Sequence, residues 1–171
     1  MIKPNDIWVH YENPDEMFEK IGYKEGRKNR KSVKLAKPET MFYYDTFFHD
    51  RKLKKFYSSI WFRDRVITKA KIGEASVIEN ISNELAANAR RYAERLCVFT
   101  LYAGNNGVVM ETRQDGTFMG DDKINLYIAG KHVPSSKSGS TSMGTRLLIM
   151  GYGEGINIEK ERKTIRVLKS F

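Results

Sequence analysis

The chain is poor in sulfur and imidazole. Its single cysteine, Cys97, excludes an internal disulfide framework and a cysteine-rich zinc site. The three histidines, His10, His49 and His132, are scattered, and none sits in a sequence context typical of a nucleophile site. No metal ligand set, catalytic residue or cofactor is therefore expected. No run approaches the roughly 18 apolar residues of a membrane span, so no membrane partner is expected either. The opening Met1-Ile2-Lys3-Pro4-Asn5-Asp6 has neither the apolar run nor the cleavage pattern of a signal peptide. These absences point to a soluble protein of a reducing cytoplasm, that of the host cell if the source is a virus or phage. No internal repeat of solenoid length is visible. Wholesale disorder is excluded, because the 171 residues include twenty aromatics.

Acidic residues are also in short supply. There are 21, against 30 Lys and Arg, which leaves a net charge of +9 and raises the prior for a polyanionic partner. The excess is local. Residues 20–71 hold 16 basic and 5 acidic residues, whereas residues 1–19 are net acidic. The densest run, residues 24–37, contains Lys24, Arg27, Lys28, Arg30, Lys31, Lys34 and Lys37, opposed by Glu25 alone. With so little apolar content it reads as a flexible basic arm on a single domain spanning 1–171. A solvated surface loop with no partner is the plain alternative.

Hydrophobic periodicity supplies the fold class. Ile7 to Tyr11 reads as a strand. Asn13-Pro14-Asp15 reads as a helix start, with an N-cap, a proline in the first turn and acids at the positive end of the dipole. That short N-terminal helix should stop at Gly22. Ile78, Ile81, Leu85, Ala89, Tyr92 and Leu96 recur at helical intervals and mark one long amphipathic helix over about 75–96. Cys97 to Ala103 and Val108 to Arg113 flank Gly104-Asn105-Asn106-Gly107, a hairpin signal. Further strands are expected at 123–129, 146–150, 156–158 and 164–168. Residues 131–145 form a Ser/Gly-rich loop. Its hydroxyls, glycines and two lysines are of the kind that wraps a phosphate, but it lacks P-loop spacing and serves equally as a connector. The expected architecture is α+β: a curved antiparallel β-sheet packed against the long helix.

Aromatic residues cluster in 42–62, where β-type enrichment predicts strands at about 41–48 and 54–62, and a third at 65–71. In a strand, the runs Phe42-Tyr43-Tyr44, Phe47-Phe48, Phe56-Tyr57 and Trp61-Phe62 cannot hide neighbouring members on one face. Some rings would then lie beside Arg51, Lys52, Lys54, Lys55, Arg63 and Arg65. Cations that contact phosphates next to rings that stack on bases suit single-stranded nucleic acid. The expected function is a non-enzymatic protein binding RNA or single-stranded DNA. The arm would hold phosphates, and Tyr44, Tyr57 and Trp61 would supply stacking rings. A two-sided core would explain the same aromatics without a ligand.

Two rival functions use the same residues. In a viral or phage assembly protein, the aromatic doublets would form a subunit interface, and the chain would be a homo-oligomer. A Mg²⁺-dependent nuclease would need paired carboxylates and a lysine, for which Asp15 and Asp50-Arg51-Lys52 give only a weak letter pattern.

Overall fold

A computed structural model of the chain describes residues 8–36, 51–131 and 152–171. In order these form β1 (Val9–His10), α1 (Pro14–Lys20), a 3-10 turn (Arg27–Asn29), β2 (Arg30–Ala36), α2 (Arg51–Tyr57) and α3 (Ile60–Phe62), which runs into a π turn (Arg63–Ile67). Then follow α4 (Glu74–Tyr92), β3 (Leu96–Ala103), β4 (Gly107–Gln114), α5 (Asp121–Ile128), β5 (Gly155–Glu159) and β6 (Thr164–Ser170). The six strands make one sheet in the order β1-β5-β6-β4-β3-β2. All neighbours are antiparallel except β1 and β5, so the sheet is mixed at one edge. The α+β class and the long helix match the sequence expectation. Among these residues no helix is long and apolar enough to cross a membrane.

The two sheet faces differ in chemistry. Val33, Leu35, Cys97, Phe99, Leu101, Val108, Met110, Val167 and Ile156 alternate onto one face and join the Ile78, Ile81, Leu85 and Ala89 stripe of α4 in the main core. The Cys97 thiol is buried there, as expected of a structural cysteine. On the opposite face the register aligns three rows. Tyr102, Val109 and Leu168 form the first, and α1 covers it with Met17 and Ile21. Asn13 caps that helix by accepting from Asp15 N at 3.0 Å. The next row, Ser32, Thr100, Glu111, Arg166 and Asn157, is entirely polar across five strands.

Arg166 organises that row. Its Nε donates to Glu111 Oε2 at 2.7 Å, and its Nη1 donates to Asn157 Oδ1 at 2.9 Å and Glu159 Oε1 at 3.0 Å. The Asn157 amide in turn donates to the Tyr11 carbonyl at 2.9 Å, tying the link between β1 and α1 to the sheet. Burial, with the Glu111 carboxylate adding to it, pushes the neighbouring Tyr102 phenol up to about 12.

Five local expectations are corrected. The stretch expected as a strand at 54–62 is helical in α2 and α3, and the third strand expected at 65–71 is replaced by the π turn, closed by Thr68 N donating to Arg63 O at 3.0 Å. Leu53, Phe56, Phe62 and Val66 are buried at helical spacing. Neighbours on a helix lie about 100° apart, so both members of an aromatic doublet can reach one core, which a strand forbids. Residues 123–129, read as a strand from alternating Ile124, Leu126 and Ile128, lie in α5 and the residue after it. There Asp121 and Asp122 suit the first turn, and Ile124 and Tyr127 are the buried pair. The long helix ends at Tyr92 rather than near 96. Finally, the expected arm is ordered over Arg27–Asn29 and Arg30–Ala36, because Val33 and Leu35 give β2 an apolar face for the core. The strands expected at 41–48 and 146–150, and all but Lys131 of the Ser/Gly-rich loop, lie outside the described residues.

The end of α4 shows how a corner is held. Asp115 Oδ1 accepts from the backbone N–H groups of Glu94, Arg95 and Leu96 at 2.9, 3.1 and 3.3 Å. A Cβ on the next residue, Gly116, would overlap the Tyr92 carbonyl oxygen, so only glycine fits that approach.

Two outcomes follow from these contacts. Replacing Arg166 by Met strands a buried Glu111 and is expected to cost about 3–5 kcal/mol in urea denaturation, most of it recovered when Glu111→Leu is added. The Arg95, Leu96 and Glu94 amides hold the Asp115 carboxyl below its ordinary 3.8. A depressed carboxyl stabilises the fold above its unfolded value, and the contribution is lost as pH falls through the folded one. Asp115→Ala should therefore lower the melting temperature at neutral pH, by a margin that shrinks as the pH drops below 3.8.

Candidate nucleic-acid interface

Strand β2 is the terminal strand of the sheet, paired with β3 over seven residues from Arg30↔Tyr102 to Ala36↔Leu96. Two hydrogen bonds set the flanking elements against it. Trp61 Nε1 donates to the Lys28 carbonyl at 2.9 Å, fastening α3 to the 3-10 turn. Lys52 Nζ donates to the Lys34 carbonyl at 3.0 Å, fastening α2 to β2 itself. Two basic stretches distant in sequence thus share one edge of the molecule.

Most of the expected cations are accessible there. Lys24, Arg27, Lys28, Arg30, Lys31 and Lys34 are exposed, as are Arg51, Lys52, Lys54, Lys55 and Arg63, while Arg65 is half-buried. Lys37 and Tyr44 lie outside the described residues. Within 24–34 and 51–71 the acids are Glu25 and Asp64 alone. Each already faces an arginine, Glu25 at 3.3 Å from Arg30 and Asp64 at 3.2 Å from Arg63. Such exposed pairs add little stability.

Over 54–62 the expected aromatic strand face does not form, because these rings sit on helices. Phe56 and Phe62 are core, with ring centroids 5.5 Å apart, and Phe56 also meets Phe99 of the sheet at 6.0 Å. Tyr57 is half-buried and its hydroxyl donates to Asn83 Oδ1 at 2.8 Å, which anchors it to α4. Trp61 is also half-buried. It packs on Phe56 at 5.7 Å and is partly exposed beside the basic turn. Within Phe56-Tyr57 and Trp61-Phe62, Phe56 and Phe62 are therefore covered by the chain's own core, while Phe42-Tyr43-Tyr44 and Phe47-Phe48 lie outside the described residues. The outer edge of β2 carries Arg30, Lys31 and Lys34, so pairing with an identical edge would bring like charges together.

The nuclease pattern does not assemble in the described residues. Asp15 stands in the first turn of α1, Asp50 is outside them, and Lys52 is committed to the Lys34 carbonyl. No three His, Cys, Asp or Glu side chains among the described residues are grouped to hold a metal.

Periodicity missed a second feature. Glu84, Asn88 and Arg91 fall one helical turn apart on one flank of α4, beside the apolar stripe. Glu84 is only 2% exposed, Asn88 and Arg91 are half-buried, and all three take part in interactions of the fold. A buried carboxylate is the informative exception in an interior helix. Its signal in the sequence was the Glu-x-x-x-Asn spacing, masked by a stripe read as if the helix had only one buried side. The chain matches no family model and no curated protein.

Proposed function

We propose that this chain binds nucleic acid, RNA or single-stranded DNA, through phosphate contacts along the β2 edge and the α2–α3 face. One observation carries the reading. Hydrogen bonds from Trp61 and Lys52 gather two basic stretches on one edge, where the acids of those stretches are already paired. A surface of this kind releases counterions when it meets a phosphate backbone, so its affinity falls linearly in log salt. Preference for single strands rests on Trp61, a half-buried ring held to the basic turn, as the candidate stacking residue. The contribution of the other rings is to hold α2 and α3 in place.

A second reading is favoured by the Glu84–Asn88–Arg91 flank. A carboxylate and a carboxamide oxygen are hard ligands of the kind Mg²⁺ takes alongside the phosphates of a substrate, and a guanidinium recognises phosphate. Those groups on one buried helix flank would suit a Mg²⁺-bound phosphate compound, in the manner of an enzyme site.

The first reading is tested by fluorescence anisotropy with labelled RNA, single-stranded DNA and duplex DNA over a salt series. Replacing Arg27, Lys28, Arg30 and Lys31 together by Ala should weaken single-strand binding by about two orders of magnitude and flatten its salt dependence. Unchanged affinity would remove the edge from the interface. The second reading is tested by calorimetry with Mg²⁺-ATP as probe. Binding that disappears in both Glu84→Gln and Asn88→Ala, with melting curves kept, would establish it; no heat from the wild-type protein would end it.

A further inference from the structure

The basic edge is continuous with an open corner of the sheet. The register places Lys34, Val98 and Arg113 in one row across β2, β3 and β4, on the face opposite α4. Helix α1 covers the far end of that face, over Val109 and Leu168, not this corner. Lys34 and Arg113 are exposed, Val98 is half-buried, and Ser32 beside them is exposed as well. Leu96, next along β3 on the same face, is 38% exposed, which is unusual for a large apolar side chain in a sheet. Deeper in the same face, Glu111 is occupied by Arg166, so the nearest carboxylate of β4 does not neutralise Arg113.

We propose that this corner is the second half of the nucleic-acid surface, with Arg113 as a phosphate-contacting residue and Val98 and Leu96 as the floor for sugar and base. The inference rests on the reading of the β2 edge as a nucleic-acid interface. Two strand spacings put the backbones of Lys34 and Arg113 about 10 Å apart, with an apolar side chain between them. A row of cation, apolar side chain and cation fits a flexible strand that lays phosphates at both ends and a nucleoside in the middle. A smooth duplex cannot present its bases to a flat sheet in this way, so the corner selects single strands. Neither basic stretch contains Arg113; the sheet register brings it to them.

The test uses anisotropy with labelled oligo-uridine and oligo-thymidine on the full chain. Arg113→Ala is compared with Arg162→Ala, which removes the same charge from an exposed position between β5 and β6. Arg113→Ala should weaken single-strand binding about tenfold and lower the salt slope by about one, with little change for duplex. Arg162→Ala should change neither by more than about twofold. The melting curve of Arg113→Ala should match the wild type, since Arg113 is exposed and stands outside the Arg166 network. Arg162→Ala removes the pair of the exposed Arg162 with Glu159 at 3.7 Å and should shift its curve little. If Arg113→Ala behaves like Arg162→Ala while the fourfold β2-edge variant still loses binding, the corner is not part of the surface and the edge reading stands. If the wild-type chain binds no oligonucleotide, both readings fall.

Discussion

The pairing of β2 with β3 is the constraint on which the candidate surface depends. A stretch this rich in Lys and Arg repels itself and has too few apolar side chains to collapse alone. Seven paired residues overcome that by supplying backbone hydrogen bonds on one side and sinking Val33 and Leu35 into the core. Once the strand is seated, its alternation is fixed. Arg30, Ser32 and Lys34 must face the side away from α4, and the terminal position leaves the cations in water. Charge on this edge also guards it, because like charges oppose the edge-to-edge pairing that an apolar terminal strand invites.

The helical segment over 51–67 serves that strand. Leu53, Phe56, Phe62 and Val66 join the main core, and the Phe56 ring reaches Phe99 on the neighbouring β3. The polar groups of this segment then meet backbone carbonyls, Trp61 that of Lys28 just before the strand and Lys52 that of Lys34 within it. Burial of the aromatics and display of the cations are thus two sides of one packing arrangement. The remaining face of the sheet divides its work differently. Helix α1 covers its apolar row, and Arg166 joins the polar row to the link between β1 and α1.

Some of this was legible in the residues and some was not, for physical reasons. The capped helix at Asn13-Pro14, the hairpin at residues 104–107 and the long helix were readable because each is set by local chemistry: a side-chain cap, residues tolerant of tight turns, and an unbroken apolar stripe. The segments over 51–67 and 121–128 were misread because short aromatic or apolar runs carry both periods. Phe56-Tyr57 and Trp61-Phe62 satisfy a β-type composition while their burial follows helical spacing. The basic stretch was misread for the opposite reason. Its two large apolar residues, Val33 and Leu35, are too few to announce a strand until β3 stands beside them.

What the residues determined by themselves was the α+β class, the location of the positive charge, and the local starts and stops of the elements with strong caps or turns. These depend on interactions within a few positions of the chain. Tertiary structure alone decided that the charge would sit on an ordered sheet edge, that two separated stretches would share it, and that Arg113 would join them across the register. It also decided that Glu84 would be buried on the flank of α4. Each of those outcomes is a contact between residues far apart in sequence. Such contacts form only when a common core holds both partners, and the energy of that core is not written in either segment alone.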